Sequence, residues 1–337
     1  MRKALLVGAG GMGQGWAKNL VAHADQVTLA GWVDIREGAA AAAVEKNALS
    51  VTWTGTELER AIAEVQPDFV VDVTIPEAHH DVTLTALAHG IPVIGEKPMA
   101  HSMEAARAMV AASEKSGKLY MVSQSRRYDN RIMAYRRLIE KTCGPLGILN
   151  ADFYIGAHFG GFRDEMEHVL LLDMAIHSFD QARFLSGADP VSVYAEEFNP
   201  AWSWYKGAAS ATCLFEMANG LRFTYRGSWC AEGLHSSWEC DWRAVGAHGT
   251  ALWDGHSALK GAKVTGTEGF HHATEALEEP IAEHISGGIA GSLEDFLHAL
   301  DTGATPMGEC HDNIKSLAMV FGAVESATTG KRVLITV

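Results

Sequence analysis

Two aspartates and a histidine recur along one stretch of the chain at the spacing of helix turns. Asp173, His177 and Asp180 stand at i, i+4 and i+7, so they share one stripe of a helix predicted from His168 to Leu185. The other side chains of this helix are mostly apolar, which indicates burial. Buried ionisable groups are costly unless paired, so the stripe indicates either a cleft wall or an internal hydrogen-bond network. In a cleft, the aspartate would orient the imidazole as a general base.

A glycine-rich turn near the N-terminus has the spacing of a dinucleotide-binding loop. Gly8, Gly10 and Gly13 fit G-x-G-x-x-G, between a predicted strand and a predicted helix. The glycines permit a tight turn and close approach to a pyrophosphate, to which the helix N-terminus offers N–H donors. Asp34 ends the second predicted strand, where a carboxylate would accept hydrogen bonds from ribose hydroxyls. That carboxylate favours NAD because it would repel a 2′-phosphate, whereas Arg36 leaves NADP open.

Two later strand ends would line the same crevice, because the carboxyl ends of parallel strands meet at one sheet edge. Thr74-Ile75-Pro76 follows one strand, and Pro76 also suits the first position of a helix. Glu96-Lys97-Pro98 follows the next strand, so the lysine would point into the crevice. A surface lysine is the alternative interpretation.

These residues need a framework of alternating strands and helices, and the first part of the chain has that pattern. Strands are predicted at 4–7, 27–33, 69–73, 92–95 and 119–123. Helices are predicted at 12–22, 36–46, 77–89 and 103–116, with a short one after Thr56. Continuous apolar strands indicate a sheet covered on both faces.

The pattern changes after residue 124. Helices are predicted at 130–140, 168–185, 288–302 and 313–329, and a strand at 148–155. A hairpin is predicted across Asn219-Gly220, with further antiparallel strands up to about residue 255. We therefore expect a dinucleotide-binding domain at 1–124 and an α+β domain for substrate binding and oligomerisation at 125–337.

Composition excludes several classes of protein. A net charge of -14 disfavours nucleic acid and anionic membranes as partners. Five cysteines without a C-x-x-C pair suggest neither a disulfide framework nor a zinc site, and fit a reducing compartment. The N-terminal apolar run is too short for a signal peptide, and no stretch approaches the ~18 apolar residues of a membrane helix. The expected location is the cytoplasm.

Taken together, the motifs resemble those of the glucose–fructose oxidoreductase, inositol dehydrogenase and MocA (Gfo/Idh/MocA) family over essentially the whole chain. The most specific part is Glu-Lys-Pro after a strand, combined with Asp-x-x-x-His in the second domain. The matching segments are Gly8-x-Gly10-x-x-Gly13, Pro76 with His80, Glu96-Lys97-Pro98, Arg127-Tyr128-Asp129, Asp173-x-x-x-His177-x-x-Asp180 and Ala323-Val324-Glu325-Ser326-Ala327-x-x-Gly330.

The resemblance implies an α/β fold: an N-terminal Rossmann doubly wound domain and a C-terminal α+β domain with a large, mostly antiparallel open sheet. It implies an NAD(P)-dependent oxidoreductase acting on a CH–OH group of a sugar or cyclitol, and a homodimer or homotetramer through the open sheet. His177 would be the general base, Lys97 would stabilise negative charge on the hydroxyl oxygen, and Asp173 would assist. The resemblance leaves open whether the lysine carries the proton instead.

Site residues follow from the motifs and the resemblance together. The predicted cofactor contacts are Gly8, Gly10, Gly11, Met12, Gly13, Asp34, Ile35, Arg36, Thr74, Ile75, Pro76, His80, Glu96 and Lys97. The predicted substrate contacts are Lys97, Arg127, His158, Asp173 and His177. For Arg127, a domain-boundary ion pair is the alternative.

Aromatic, arginine-rich and histidine-rich segments complete the sequence pattern. An aromatic segment, Trp202-Ser203-Trp204-Tyr205, and later tryptophans would suit sugar faces or simply pack the sheet. The arginines of residues 126–137 indicate a helix face with ion pairs. The histidine pairs His79-His80 and His271-His272 lack further ligand spacing, so no metal is predicted.

Two alternatives to a net dehydrogenase stay open at this point. One is a lyase or glycosidase that uses tightly held NAD for transient oxidation, and the other is a non-enzymatic dinucleotide-binding sensor. Only the dehydrogenase accumulates NADH. The presence of Lys97, Asp173 and His177 argues against the sensor.

Overall fold

Two β-sheets organise the chain, and each belongs to its own unit of structure. The computed structural model describes residues 1–282 and 286–337. The contacts divide the chain into a first unit, residues 1–125 with 288–314, and a second unit, residues 126–287 with 315–337.

The elements follow one another along the chain with these bounds. The strands are β1 (Arg2–Val7), β2 (Val27–Val33), β3 (Trp53–Gly55), β4 (Phe69–Asp72), β5 (Val93–Glu96), β6 (Tyr120–Ser123), β7 (Leu146–Tyr154), β8 (Pro190–Phe198), β9 (Ser210–Met217), β10 (Arg222–Ser228), β11 (Asp241–Gly246), β12 (Gly249–Trp253), β13 (Leu259–Val264), β14 (Thr274–Leu277) and β15 (Val333–Leu334). The α-helices are α1 (Gly11–Ala22), α2 (Ala39–Lys46), α3 (Leu58–Val65), α4 (Pro76–Ala88), α5 (Met103–Ser116), α6 (Asn130–Thr142), α7 (Phe162–Glu165), α8 (Ile176–Ser186), α9 (Gly288–Thr302) and α10 (Cys310–Thr329).

The first unit contains a parallel sheet with strand order β3-β2-β1-β4-β5-β6. Apart from the edge strand β3, its strands are almost entirely buried, as expected of a sheet covered by helices on both faces. The registers align the strand ends, because Val7 pairs with Asp72 and Asp72 pairs with Gly95. The predicted doubly wound sheet is confirmed.

Residues 288–314 join the first unit, although the sequence pattern assigns them to a domain spanning 125–337. The physical reason is the apolar face of α9, whose Phe296 lies with its ring centroid 5.4 Å from that of Phe69 on β4. Asn19 of α1 also donates a hydrogen bond to the Ile289 carbonyl. These contacts correct the predicted boundary for this segment.

The second unit contains a nine-stranded sheet of order β14-β13-β12-β11-β7-β10-β9-β8-β15, antiparallel except between β7 and β10. Buried and exposed residues alternate along β7, β9 and β10, which indicates one packed and one exposed face. Phe179 of α8 packs against Phe215, Phe223 and Tyr225 of this sheet. The predicted large, mostly antiparallel sheet is confirmed.

The helix predicted at 168–185 is not a uniform α-helix. Residues Leu170–Ala175 form a π-helical segment, and α8 begins only at Ile176. A π segment has hydrogen bonds between residues i and i+5 instead of i and i+4, and often marks a functional site. The i, i+4 spacing therefore identified the helical stretch but not its local winding.

The packing of α9 leads to a stability prediction. We expect Phe296→Ala to lower the free energy of unfolding by about 3–5 kcal/mol, because it removes a fully buried ring from the first unit. Phe270→Ala is the matched control, since that ring is 97% exposed. Urea denaturation of both variants measures the difference, and equal midpoints would show that α9 does not stabilise this unit.

Candidate active site

Two glycines of the loop after β1 are required by the protein itself. Gly8 has a φ of 102°, and a Cβ there would lie 2.5 Å from the Val73 carbonyl oxygen. A Cβ at Gly13 would overlap the carbonyl oxygen of Gly8. These positions therefore need glycine for the turn and for helix–strand packing.

The next two positions of the loop face open space. A Cβ at Gly10 or Gly11 would meet no protein atom within 4 Å, and Gly10 has φ −71° and ψ −170°, which any residue adopts. Both residues are exposed, and Gly11 is the first residue of α1. An exposed helix N-terminus with room beside its backbone fits a pyrophosphate, so the loop fits a dinucleotide.

The carboxylate at the end of β2 is already engaged by the protein. Asp34 Oδ2 accepts the Ala9 N–H at 2.7 Å, and Asp34 Oδ1 accepts both the backbone N–H and the Nε–H of Arg36 at 2.9 Å. The hydrogen bonds from Arg36, the larger cause, and from Ala9 outweigh burial and lower the pKa of Asp34 to about 2. The carboxylate is thus ionised at neutral pH and forms an ion pair with the exposed side chain of Arg36.

The same contact explains why α2 begins at Ala39 rather than at Arg36. The Asp34 side chain takes the N–H of Arg36 in a local turn, and Gly38 then adopts a φ of 75° before the helix. Ile35, between them, is exposed. The predicted cofactor residues 34–36 therefore form one turn at the strand end.

The end of β4 holds a buried acid–histidine pair. Asp72 Oδ2 lies 2.9 Å from His79 Nδ1, and both side chains are buried. Asp72 Oδ1 accepts hydrogen bonds from the N–H and Oγ1–H of Thr74. Burial opposes the protonated form of His79, but the Asp72 charge and hydrogen bond outweigh it and raise its pKa.

His79 is a residue that the sequence pattern did not assign to the site, whereas the predicted His80 pairs with the exposed Asp81 at 2.8 Å. The signal was present in α4, whose buried positions include 79, 82, 83, 86 and 87. This helical period places His79 on the face toward the sheet. Pro76 opens α4 as predicted, and Ile75 is exposed.

Lys97 directly follows β5. Glu96, the residue before it and also a predicted cofactor contact, is turned into the protein interior. Glu96 is buried, and its Oε1 accepts the indole N–H of Trp16 at 2.7 Å. Its Oε2 accepts the Lys97 backbone N–H at 3.2 Å. Burial raises the pKa of Glu96 against the opposing effects of these donors and of the Lys97 charge.

In the second unit, the predicted polar stripe divides between two environments. Asp173 lies in the π segment, and its Oδ2 accepts the Nε–H of Arg163 at 2.6 Å. His177 lies one turn later in α8, where residues 176–185 are all buried. The Arg163 guanidinium also lies 5.0 Å from the ring centroid of Phe159 and 4.7 Å from that of Phe162.

Asp180, the third member of the stripe, belongs to a structural network. Arg127 donates to both of its oxygens, at 2.7 and 2.6 Å, and Ser316 Oγ donates at 2.7 Å. Arg127 is only 6% exposed. This geometry supports an ion pair as the role of Arg127, rather than the predicted substrate contact. The neighbouring arginines also pair with carboxylates, as the sequence predicts: Arg126 with Glu239, Arg131 with Asp129, Arg136 with Glu140 and Arg137 with Glu279.

Exposed aromatic rings and polar groups surround the segment after β7. His158 stacks on Trp204 with centroids 3.7 Å apart, and its Nε2 lies 2.7 Å from Glu232 Oε1. Trp202 and Trp238 expose much of their rings, whereas Trp229, Trp242 and Trp253 are buried in the packing. The packing interpretation therefore holds for Trp229, Trp242 and Trp253, and a contact of Trp202 or Trp238 with a sugar face stays a prediction.

The absence of a metal site stays a prediction. In residues 1–282 and 286–337, one group of possible ligands comes together: Glu309, Cys310 and His311, within 4.8 Å. Glu309 Oε1 accepts the Cys310 thiol at 3.0 Å and contacts His311 Nδ1 at 2.8 Å, while Oε2 accepts the His311 N–H. Mutual hydrogen bonds at the start of α10 thus account for this group. No helix in the described part of the chain is both long and apolar enough to cross a membrane.

Comparison with known proteins identifies both halves of the chain. Residues 2–124 match the family model described as an oxidoreductase family with an NAD-binding Rossmann fold. Residues 136–252 match the GFO/IDH/MocA C-terminal domain.

Relatives match over almost the full length. An uncharacterized protein of Sinorhizobium fredii is 30% identical, covering 99% of this chain and 95% of its own. The inositol 2-dehydrogenase of Rhizobium meliloti is 26% identical, covering 98% of each chain. A levoglucosan dehydrogenase structure, solved with NADH and levoglucosan, has a TM-score of 0.83 at 17% identity and covers 99% of both chains. The chain therefore belongs to the GFO/IDH/MocA family of NAD-binding oxidoreductases.

Proposed function

We propose that this protein is an NAD-dependent dehydrogenase that oxidises a hydroxyl-bearing carbon of a sugar, a sugar derivative or a cyclitol. The observation that carries the proposal is the placement of Asp173 and His177 four residues apart, one in the π segment and one near the start of α8, on a largely buried helical stretch. Ionisable groups in such surroundings are costly for folding, and their concentration at one place favours a catalytic role.

The first unit would hold the cofactor. Gly10, Gly11 and the N-terminus of α1 would receive the pyrophosphate, and the turn at Asp34 would receive the adenosine ribose. NAD held there would supply the nicotinamide ring as the hydride acceptor for the reaction. We propose NAD rather than NADP because the ionised Asp34 carboxylate would repel a 2′-phosphate, although Arg36 weakens that repulsion.

The protein's own groups would manage the proton and the charge on oxygen. We propose that His177 accepts the hydroxyl proton and that Asp173 orients the imidazole. Lys97 would donate a hydrogen bond to the substrate oxygen as negative charge develops there. Whether lysine or histidine is the final proton carrier is decided by the pH dependence of each variant.

The segment after β7 supports a carbohydrate or polyol as the substrate. Exposed rings of Phe159, Trp202 and Trp238 offer flat apolar surfaces, which suit the C–H faces of sugar rings. His158 and Arg163 offer polar groups beside them for hydroxyls. The activities after which two relatives are named, inositol dehydrogenase and levoglucosan dehydrogenase, agree with this substrate class.

Location and assembly are also proposals. All five cysteines are free and buried thiols, which supports a reducing compartment such as the cytoplasm. The exposed face of the nine-stranded sheet, with alternating outward side chains on β7, β9 and β10, supports a homodimer or homotetramer through that face.

The catalytic assignment predicts which variants lose activity. With a panel of sugars, anhydrosugars and cyclitols, we expect NADH formation that His177→Ala and Lys97→Ala each reduce by about a hundredfold or more, because each removes a group that acts in the transition state. His271→Ala is the control, since His271 is an exposed histidine of the second unit. The measurement is the absorbance of reduced nicotinamide.

A different result identifies the alternative chemistries. Product formation without net NADH would indicate transient oxidation, as in a lyase or glycosidase. No turnover by a wild-type protein that binds NAD would favour a sensor.

Because there is open space beside Gly10, we expect a side chain there to affect NAD binding but not the stability of the protein. We expect Gly10→Ala to keep the wild-type melting temperature but to weaken NAD binding about tenfold or more, because its Cβ meets only the space assigned to the pyrophosphate. Gly15→Ala, one turn further along α1, is the control. Calorimetric titration with NAD measures the effect, and unchanged affinity would contradict the assignment of this loop.

The Asp34–Arg36 contact predicts how cofactor preference changes. We expect Arg36→Ala to raise the NAD-to-NADP ratio of kcat/KM about tenfold, because it leaves the Asp34 charge uncompensated. Arg60→Ala is the control, since Arg60 forms an exposed pair with Glu64 in the same unit. A ratio that falls would show that Arg36 acts against a 2′-phosphate by steric exclusion rather than attracting it.

A further inference from the structure

A buried carboxylate connects the first helix of the Rossmann unit to the end of β5. Glu96 accepts the Trp16 indole N–H with Oε1 and the Lys97 backbone N–H with Oε2. Trp16 lies on α1, three residues after Gly13, and is completely buried. The two oxygens of one side chain thus join the helix that follows the glycine loop to the residue that follows β5.

Burying the Glu96 carboxylate lowers the stability of the folded chain. A carboxylate at a buried strand end loses its hydration, and burial raises the pKa of Glu96. A neutral glutamine could accept the Trp16 N–H without burying a charge. A costly charged group directly before a functional lysine indicates a role in the site.

The groups around Glu96 indicate which role its carboxylate has. The charged groups that act on it are Lys97 and His79, and His79 is itself paired with Asp72 on β4. On the other side of β5, Glu96 stands opposite Ser123 of β6 in the sheet register. Its role therefore concerns the local position of the strand end, not contact with bulk solvent.

We propose that Trp16 and Glu96 are positioning residues for Lys97, which tie the lysine backbone to the helix that binds the cofactor. The inference rests on the proposed role of Lys97 in the dehydrogenase reaction. Lys97 is then held relative to α1 by two hydrogen bonds in series, so its position and that of the bound cofactor are set by the same helix.

The test compares variants that break one link each. Trp16→Phe removes the N–H donor and keeps an aromatic ring, and Glu96→Gln keeps the size but removes the charge and one acceptor. We expect each to lower kcat about tenfold, because a displaced Lys97 would stabilise the transition state less well, with KM and NAD affinity within about twofold of wild type. Glu96→Asp keeps the charge but is one methylene shorter, so we expect a similar loss.

Trp53→Phe is the matched control, because Trp53 donates the same kind of bond to Glu64 at 2.9 Å on the surface of the same unit. We expect it to match wild type in every measurement. The melting temperature of each variant is measured to check that it folds. If Trp16→Phe does not fold, Glu96→Gln alone tests the inference.

A second readout does not depend on turnover. The rate of acetylation of Lys97 in the NAD-bound protein, followed by mass spectrometry, reports the environment of its amine. We expect Trp16→Phe and Glu96→Gln to change this rate and Trp53→Phe to leave it unchanged. The inference would be overturned if both variants kept the wild-type kcat and the wild-type reactivity of Lys97. It would also be overturned if the variants lost only NAD affinity.

The two proposals fail in different ways. If wild-type protein oxidises no substrate, the proposed function fails, and Lys97 reactivity alone decides the positioning role. If wild type is active and Lys97→Ala is not, but Trp16→Phe behaves as wild type, only the positioning role fails.

Discussion

Parallel pairing of β1, β4 and β5 is the constraint on which the chemistry of the first unit depends. Their ends fall in one row, since Val7 pairs with Asp72 and Asp72 with Gly95. The chain leaves all three strands at the same edge, so residues far apart in sequence emerge side by side. The glycine loop, the Thr74 turn and Lys97 become one group through backbone hydrogen bonds rather than through any attraction between them.

At that edge, polar side chains are buried next to the apolar core of the first unit, and each has a hydrogen-bond or ion-pair partner. Asp72 is matched by His79 and Thr74, and Glu96 by Trp16 and the Lys97 N–H. Each pair satisfies a buried acceptor that would otherwise cost about 1–3 kcal/mol or more. These polar residues therefore support the strand ends on which the candidate cofactor site is built.

In the second unit, buried polar residues also need partners, and they lie on one helical stretch, the π segment and α8. Its sheet and neighbouring helices bury α8 on all sides, so each polar residue of the stripe needs its own partner. Asp180 obtains a bidentate arginine and a serine, which makes it structural. Asp173, in the π segment, accepts a hydrogen bond from Arg163 of α7, whose guanidinium also lies over the rings of Phe159 and Phe162. One stripe therefore serves stability at one end and the candidate chemistry at the other.

The sequence by itself determined the kind of fold and the main chemical groups. Glycine spacing, apolar periodicity and the Asn-Gly turn are local signals, because they reflect backbone freedom and burial within a few residues. They predicted the two sheets and most elements correctly, and the motifs identified the family. Tertiary structure decided what depends on partners distant in the chain: that Glu96 is buried against Trp16, that His79 rather than His80 is buried beside Asp72, that Arg127 holds Asp180, and that residues 288–314 pack in the first unit. A residue's type limits the bonds that it forms, but only the folded chain brings the partner that selects among them.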